Sequence, residues 1–95
     1  MNDQEIIDLI NTTMAEEFEL DMEVMQPKVH LFDDLELDSL DIVDLVVVLE
    51  NAFNFKIREE EPIRELRTLG DIHRFVVNKK EELKSARGFL GEKIK

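Results

Sequence analysis

The sequence predicts an all-α fold, a small four-helix bundle with three longer helices and one short one. Three features carry that expectation. The 95 residues include only 3 glycines and 2 prolines, too few turn formers for a chain of many short strands. Apolar residues recur at helical spacing in three separate stretches. Two of those stretches open on a side-chain capping pattern.

The first helix is expected over residues 3–20. Asp3 can cap its start, and Ile6, Ile7, Ile10, Met14 and Phe18 form its apolar stripe. Glu16, Glu17 and Glu19 crowd its far end, where acids sit poorly against the helix dipole, so that end is loosely defined. Residues 21–37 show no period and contain Pro27, which interrupts a helix. They read as a long loop pinned to the core by Val29, Leu31, Phe32 and Leu35, with Met22 and Met25 as packing residues. A loop of that length without structure of its own is often functional.

The second helix is expected over residues 39–53, with Asp38 as N-cap and Asp41 at the third helical position. Its run Val46-Val47-Val48 is also compatible with a buried strand. The caps favour helix, as do the acids at 41, 44 and 50, read as one polar side. Ile42, Leu45, Leu49 and Phe53 then face the core. Val43 and Val47 fall toward the flank, and two readings stay open for them. One is an exposed apolar strip rimmed by acids, suited to docking. The other is burial by tertiary contacts.

Asn54 leads out of that helix, with Phe55 and Ile57 packed inward. Glu61-Pro62 opens a short helix through Leu66. Thr68 and Asp71 cap a last long helix, with Leu69, Ile72, Phe75 and Val76 on its apolar face. That helix is expected to end near Leu83. The folded domain is therefore assigned to residues 1–83. Residues 84–95, with two glycines and no strong period, are assigned to a loosely ordered basic tail.

Composition excludes several functions. There is no cysteine, hence no disulfide, no cysteine nucleophile and no thiolate metal site. The net charge of −11 argues against nucleic acid as the main partner. It suits docking onto basic patches of other proteins, although acidity also simply keeps a small protein soluble. The charge is uneven. Residues 1–55 hold 15 acids and 1 base, whereas residues 56–95 hold 8 acids and 11 bases. The N-terminus has no basic segment ahead of its apolar residues, and no apolar run is long enough to span a membrane. A cytoplasmic protein is expected.

The candidate chemistry narrows to one residue. Asp34, Glu36 and Asp38 alternate like the start of a calcium loop. The positions that need glycine and a bidentate glutamate hold Ser39 and Leu45, so no metal site is expected. His30 and His73 are too isolated for zinc. Ser39 lacks a neighbouring histidine and a glycine-rich elbow, which argues against a hydrolase. The paired acids have no cleft to raise one of their pKa values. Ser39, in the first turn of a helix, is left as an acceptor on which another enzyme builds, or as an ordinary helix-start serine.

The stretch Phe32-Asp33-Asp34-Leu35-Glu36-Leu37-Asp38-Ser39-Leu40-Asp41-Ile42-Val43-Asp44-Leu45 resembles the modification motif of acyl carrier proteins. Leu49-Glu50-Asn51-Ala52-Phe53, then Phe55, Ile57 and Thr68-Leu69-Gly70-Asp71-Ile72, continue the pattern across nearly the whole domain. The resemblance implies an acyl-carrier-like bundle and a non-catalytic, monomeric carrier. Ser39, flanked by Asp38, Leu40 and Asp41, would bear 4'-phosphopantetheine, transferred from coenzyme A by a phosphopantetheinyl transferase. The arm's thiol would hold acyl groups as thioesters for acyl-transferring and chain-elongating enzymes of fatty-acid, lipid or polyketide synthesis. By the same resemblance, Asp38, Asp41, Val43, Asp44, Val47 and Glu50 form the partner surface, which meets basic docking patches. Leu49, Phe53 and Leu66 are candidates for the acyl pocket.

There are departures from the family pattern. The family usually has glycine where Glu36 stands, and glutamate takes a left-handed backbone less easily, so the loop is expected to differ there. Asn51 replaces a common acid, and Glu59-Glu60-Glu61-Pro62 and the basic tail are unusual. These point to a specialised carrier. The acid before Ser39 argues against the peptidyl-carrier type.

Overall fold

Asn2 starts the first helix. Its side-chain oxygen accepts the Glu5 amide at 2.8 Å, and Glu5 Oε1 accepts the Asn2 amide at 2.8 Å. This reciprocal cap displaces Asp3 from the role the sequence suggested, and α1 spans Asp3–Glu17. It stops short of residue 20 because Glu19 turns left-handed, with φ 53°. The Leu20 amide then reaches back to the Ala15 carbonyl at 2.8 Å and satisfies an acceptor of the last turn. Ile6, Ile10, Met14 and Ala15 are buried, while Ile7 and Phe18 are half-buried.

The structure is a computed structural model that describes the backbone of residues 2–57 and 62–94 and the side chains of residues 2–57, 63 and 65–82. The second helix, α2, spans Ser39–Phe53, as the sequence predicts, and buries Ile42, Leu45, Leu49 and Phe53. Leu45 and Leu49 are fully enclosed, each stabilising the fold by about 1.5–3 kcal/mol. Asn54 ends α2 in the left-handed conformation. Phe55 is buried and Ile57 half-buried, as expected.

The expected short helix is a 3-10 turn, Pro62–Glu65, which buries Ile63. The Glu59-Glu60-Glu61 stretch before it lies outside the described residues. The third helix, α3, spans Leu69–Ile94. Thr68 Oγ1 accepts the Asp71 amide, and Asp71 Oδ2 accepts the amides of Thr68 and Arg67, all at 3.1 Å. Leu69, Ile72 and Val76 are buried and Phe75 half-buried. The backbone stays helical beyond the end expected near Leu83. Gly88 and Gly91 weaken a helix, but Lys84, Ala86, Arg87, Leu90, Glu92 and Lys93 around them are good helix formers. Among the described residues, no strand accompanies the three helices, so the fold is the expected all-α bundle. Helix α1 packs against both α2 and α3.

The segment before α2 is more ordered than its sequence suggests. It contains a 3-10 turn, Met22–Val24, which buries the following Met25. Met22, expected to pack, is exposed. Further along, the chain is tied to the start of α3 by three backbone bonds. Leu31 donates to the Arg67 carbonyl at 2.8 Å, Leu69 to Val29 at 2.9 Å, and Gly70 to Pro27 at 2.7 Å. The last needs close approach, since a Cβ on Gly70 would sit 2.9 Å from the Pro27 carbonyl oxygen. We expect Gly70→Ala to lower stability by about 1–3 kcal/mol in chemical denaturation, by forcing these strands of chain apart.

His73 joins α3 to α1. It is 5 % exposed, and its Nε2 lies 2.7 Å from Asn11 Oδ1. Burial, and secondarily the Arg74 guanidinium, hold its pKa below 6.5. The folded state therefore binds this proton less readily than the unfolded chain does. Its contribution to stability is complete above pH about 6.5 and is lost as the pH falls from there toward the folded pKa. Melting curves of the native protein and of His73→Leu should show this. Between pH 7.5 and 5.5 (about one unit either side of the free imidazole value), the native protein should lose melting temperature relative to the variant. The comparison cancels the effect of protonating the many surface acids, which both proteins share.

Candidate functional site

Ser39 is the first residue of α2 and is exposed. Asp38 and Asp41 build the helix start around it. Asp38 Oδ1 accepts the Asp41 amide and Asp41 Oδ2 accepts the Asp38 amide, both at 3.0 Å. This is the capping box the sequence suggested. The Asp38 carbonyl accepts the Ile42 amide at 3.1 Å. The amides of Ser39 and Leu40 have no acceptor among the described residues, and nothing there bonds to the Ser39 hydroxyl. An exposed, unengaged hydroxyl beside two open amides, at the positive end of a 15-residue helix, fits a serine phosphodiester.

The turn before Ser39 is fixed from within. His30 Nδ1 accepts the amides of Phe32 and Asp33, at 3.3 and 3.2 Å, and Asp34 Oδ2 accepts the His30 amide at 2.8 Å. The Leu35 amide bonds the His30 carbonyl and the Leu37 amide the Leu31 carbonyl, both at 3.1 Å. Leu31, Leu35 and Leu37 are buried. Between the last two, Glu36 is exposed with φ 57°. Glutamate takes the left-handed backbone here despite its Cβ, the conformation that suits glycine. The cost for a residue with a Cβ is about 1–2 kcal/mol, and the bonds and burial on either side hold it.

The acids divide into two groups. Asp34, Asp38 and Asp41 are committed to backbone amides of the turn and cap. So is Glu50, whose Oε2 accepts the Ile57 amide at 2.8 Å and pins the chain leaving α2. Asp41 and Glu50 do not share a side of the helix. Nine residues at about 3.6 per turn put them on opposite sides, which corrects the single polar side read from the sequence. Asp44 and Glu36 are exposed, and their carboxylates make no hydrogen bond or ion pair among the described residues.

The question left open for the valines is resolved toward exposure. Val43 is 44 % and Val47 50 % exposed, with Val46 and Val48 half-buried beside them. Leu40, considered only as a neighbour of Ser39, is 75 % exposed. Leu40, Val43 and Val47 follow the i, i+3, i+7 spacing of one helix face, a signal present in the sequence and missed there. Asp44 lies next to Val43 on the exposed side.

Of the acyl-pocket candidates, Leu49 and Phe53 belong to the closed core and Leu66 packs half-buried against it. The Phe53 and Phe55 rings stack at 5.7 Å, and Lys79 Nζ of α3 lies 5.6 Å over the Phe55 ring. Phe55 thus bridges α2 and α3. A separate surface depression of about 200 Å³, at the end of α2, is lined by Glu50, Asn51, Asn54, Phe55 and Lys56.

The two groups of acids should separate on mutation. Asp38→Ala should cost about 1 kcal/mol of unfolding free energy through loss of the cap. Asp44→Asn should change it by less than about 0.5 kcal/mol, since the carboxylate makes no hydrogen bond or ion pair among the described residues. Urea denaturation of both variants checks the pair.

A family model described as a phosphopantetheine attachment site matches residues 8–76. The chain is 38 % identical over 72 residues to "Acyl carrier protein 2" of Ralstonia nicotianae, covering 76 % of this chain and 88 % of that one. It is 35 % identical over 79 residues to the acyl carrier protein of Thermosynechococcus vestitus, covering 83 % and 96 %. It is 37 % identical over 75 residues to that of Syntrophobacter fumaroxidans, covering 79 % and 86 %. An all-α bundle, a serine-started acidic helix and a match across most of the sequence agree, and the chain belongs to the acyl carrier protein family, non-catalytic carriers that hold acyl groups on a 4'-phosphopantetheine group.

Proposed function

We propose that Ser39 is the attachment residue and that the helix it starts is the surface partner enzymes grip. The supporting observation is the state of Ser39: exposed at the first position of α2, its hydroxyl unengaged, on a backbone fixed by the Asp38–Asp41 box. The group supplies a thiol that holds acyl chains as thioesters, which a chain with no cysteine cannot supply itself. The residues of the protein present and orient the attachment point. The cap keeps the first turn of α2 from fraying, and the buried Leu35 and Leu37 hold the approach to it.

Partners dock on Leu40, Val43 and Val47, with Asp44 as the free charge on the same side. Asp38, Asp41 and Glu50 add negative potential while bonded to the backbone. The partners are a phosphopantetheinyl transferase using coenzyme A, then acyl-transferring and chain-elongating enzymes with basic patches, in fatty-acid, lipid or polyketide synthesis. The carrier unit is residues 1–83, monomeric and cytoplasmic, and residues 84–95 are a basic appendage. Leu49, Phe53 and Leu66 line the space an acyl chain takes when α2 and α3 part around Phe55. Burial of the chain is favourable by about 25 cal/mol per Å² of apolar surface.

Intact mass spectrometry after incubation with a phosphopantetheinyl transferase and coenzyme A tests the assignment. The native protein should gain one phosphopantetheine group and Ser39→Ala none. Label retained on Ser39→Ala, or no label on apo protein with several transferases, would sink the assignment. A second arm tests the face. Val47→Ser should lower the transfer rate severalfold with little change in stability, since the side chain is half exposed.

A further inference from the structure

The carboxylate of Glu36 is exposed, and no hydrogen bond or ion pair among the described residues engages it. Its backbone is held on both sides. The Leu35 and Leu37 amides are bonded, both side chains are buried, and Asp38 is locked by the cap. The charge therefore projects from a fixed point just before Ser39. The left-handed φ of Glu36, 57°, is one that glycine would adopt with less strain. Of the other acids of the same turn, Asp34 and Asp38 each satisfy a backbone amide, and the Asp33 carboxylate lies 3.7 Å from His30 Nδ1. Glu36 thus differs from them in carrying a strained backbone and a charge left to solvent.

We propose that Glu36 is a specificity residue for the modification of Ser39, pairing with a lysine or arginine of the phosphopantetheinyl transferase that serves this carrier. The proposal rests on the Ser39 assignment above. An exposed charge at the rim of a contact acts mainly on association and on its salt dependence. Glu36 selects a transferase that bears the matching cation and adds nothing for one that lacks it.

The test compares the native protein, Glu36→Gln and Glu36→Gly as substrates of the transferase from the same organism, with coenzyme A as donor. A second set of rates uses a transferase of broad specificity, and Ser39→Ala is the blank. Glu36→Gln removes the charge and keeps the side chain. Glu36→Gly removes both and relieves the backbone. With the native transferase at low salt, both variants should lose about threefold or more in kcat/KM, chiefly through KM. The loss should shrink as salt is raised. The broad enzyme should treat all three proteins alike. Glu36→Gly alone should melt at a higher temperature than the native protein.

Equal rates for Glu36→Gln and the native protein with the native transferase would overturn the proposal. So would a loss that salt does not reduce, or a loss confined to Glu36→Gly, which would assign the effect to the backbone. Absence of label on the native protein with both enzymes would instead overturn the Ser39 assignment, and this proposal with it.

Discussion

The backbone tie between Pro27–Leu31 and Arg67–Gly70 is the constraint on which the functional end of the molecule depends. A segment as long as residues 18–38 costs considerable conformational entropy to order. Three amide–carbonyl bonds and the close approach at Gly70 fasten it to the start of α3. Once fastened, the chain can reach the core with Leu31, Leu35 and Leu37. These three anchor the turn before Ser39 in the core. The same tie organises α3. Thr68 and Leu69, at its first turn, are both partner to the loop and start of the helix. The Asp71 carboxylate is held below its ordinary pKa by the amides of Arg67 and Thr68. The position of a serine in α2 thus depends on contacts made at the start of α3.

The acidic surface follows from the same economy of backbone bonding. A net charge of −11 on 95 residues opposes compaction by self-repulsion. Several carboxylates offset this by satisfying amides that would otherwise be unpaired: Glu5, Asp34, Asp38, Asp41, Glu50 and Asp71 each accept a backbone N–H. Such an acid contributes to the fold and to the external potential at once. Asp44 and Glu36 contribute to the potential alone. Sequence composition shows only the sum, and the hydrogen bonds show which charges are open to a partner.

What the sequence made legible was local. The span of α2, the Asp38–Asp41 and Thr68–Asp71 boxes and the inward faces of the helices follow from spacings of three and four residues, which a linear chain displays directly. The register of Ser39 came from resemblance, since a serine at a helix start is common on physical grounds alone. Misreadings arose where a local pattern had two solutions. Asn2 and Asp3 are both good caps, and the Glu5 partner decided for Asn2. Glu19 and Glu36 carry left-handed turns that their residue type does not announce. The Asn11–His73 bond was not legible, because its partners are far apart in sequence and each looks ordinary alone. Glu50 was placed with the surface acids because nothing in the helix pattern shows that the chain returns to it at Ile57.

A carrier must be held firmly enough at the attachment point to be recognised and loosely enough by each partner to leave. On the proposed assignment these demands fall to different residues. Firmness comes from groups facing inward or along the backbone: the cap, the loop tie and the leucines of the turn. The proposed docking surface is made of groups turned to solvent, namely three apolar side chains on one face of α2 and the carboxylates of Asp44 and Glu36, which make no hydrogen bond or ion pair among the described residues. Three partly exposed side chains make a small apolar contact, well short of a stable interface of roughly 800 Å² per partner. Exposed charges speed encounter more than they prolong it. A surface of this kind favours rapid arrival and short residence, and it can be altered at Leu40, Val43, Val47, Asp44 or Glu36 without disturbing the bonds that hold Ser39 in place.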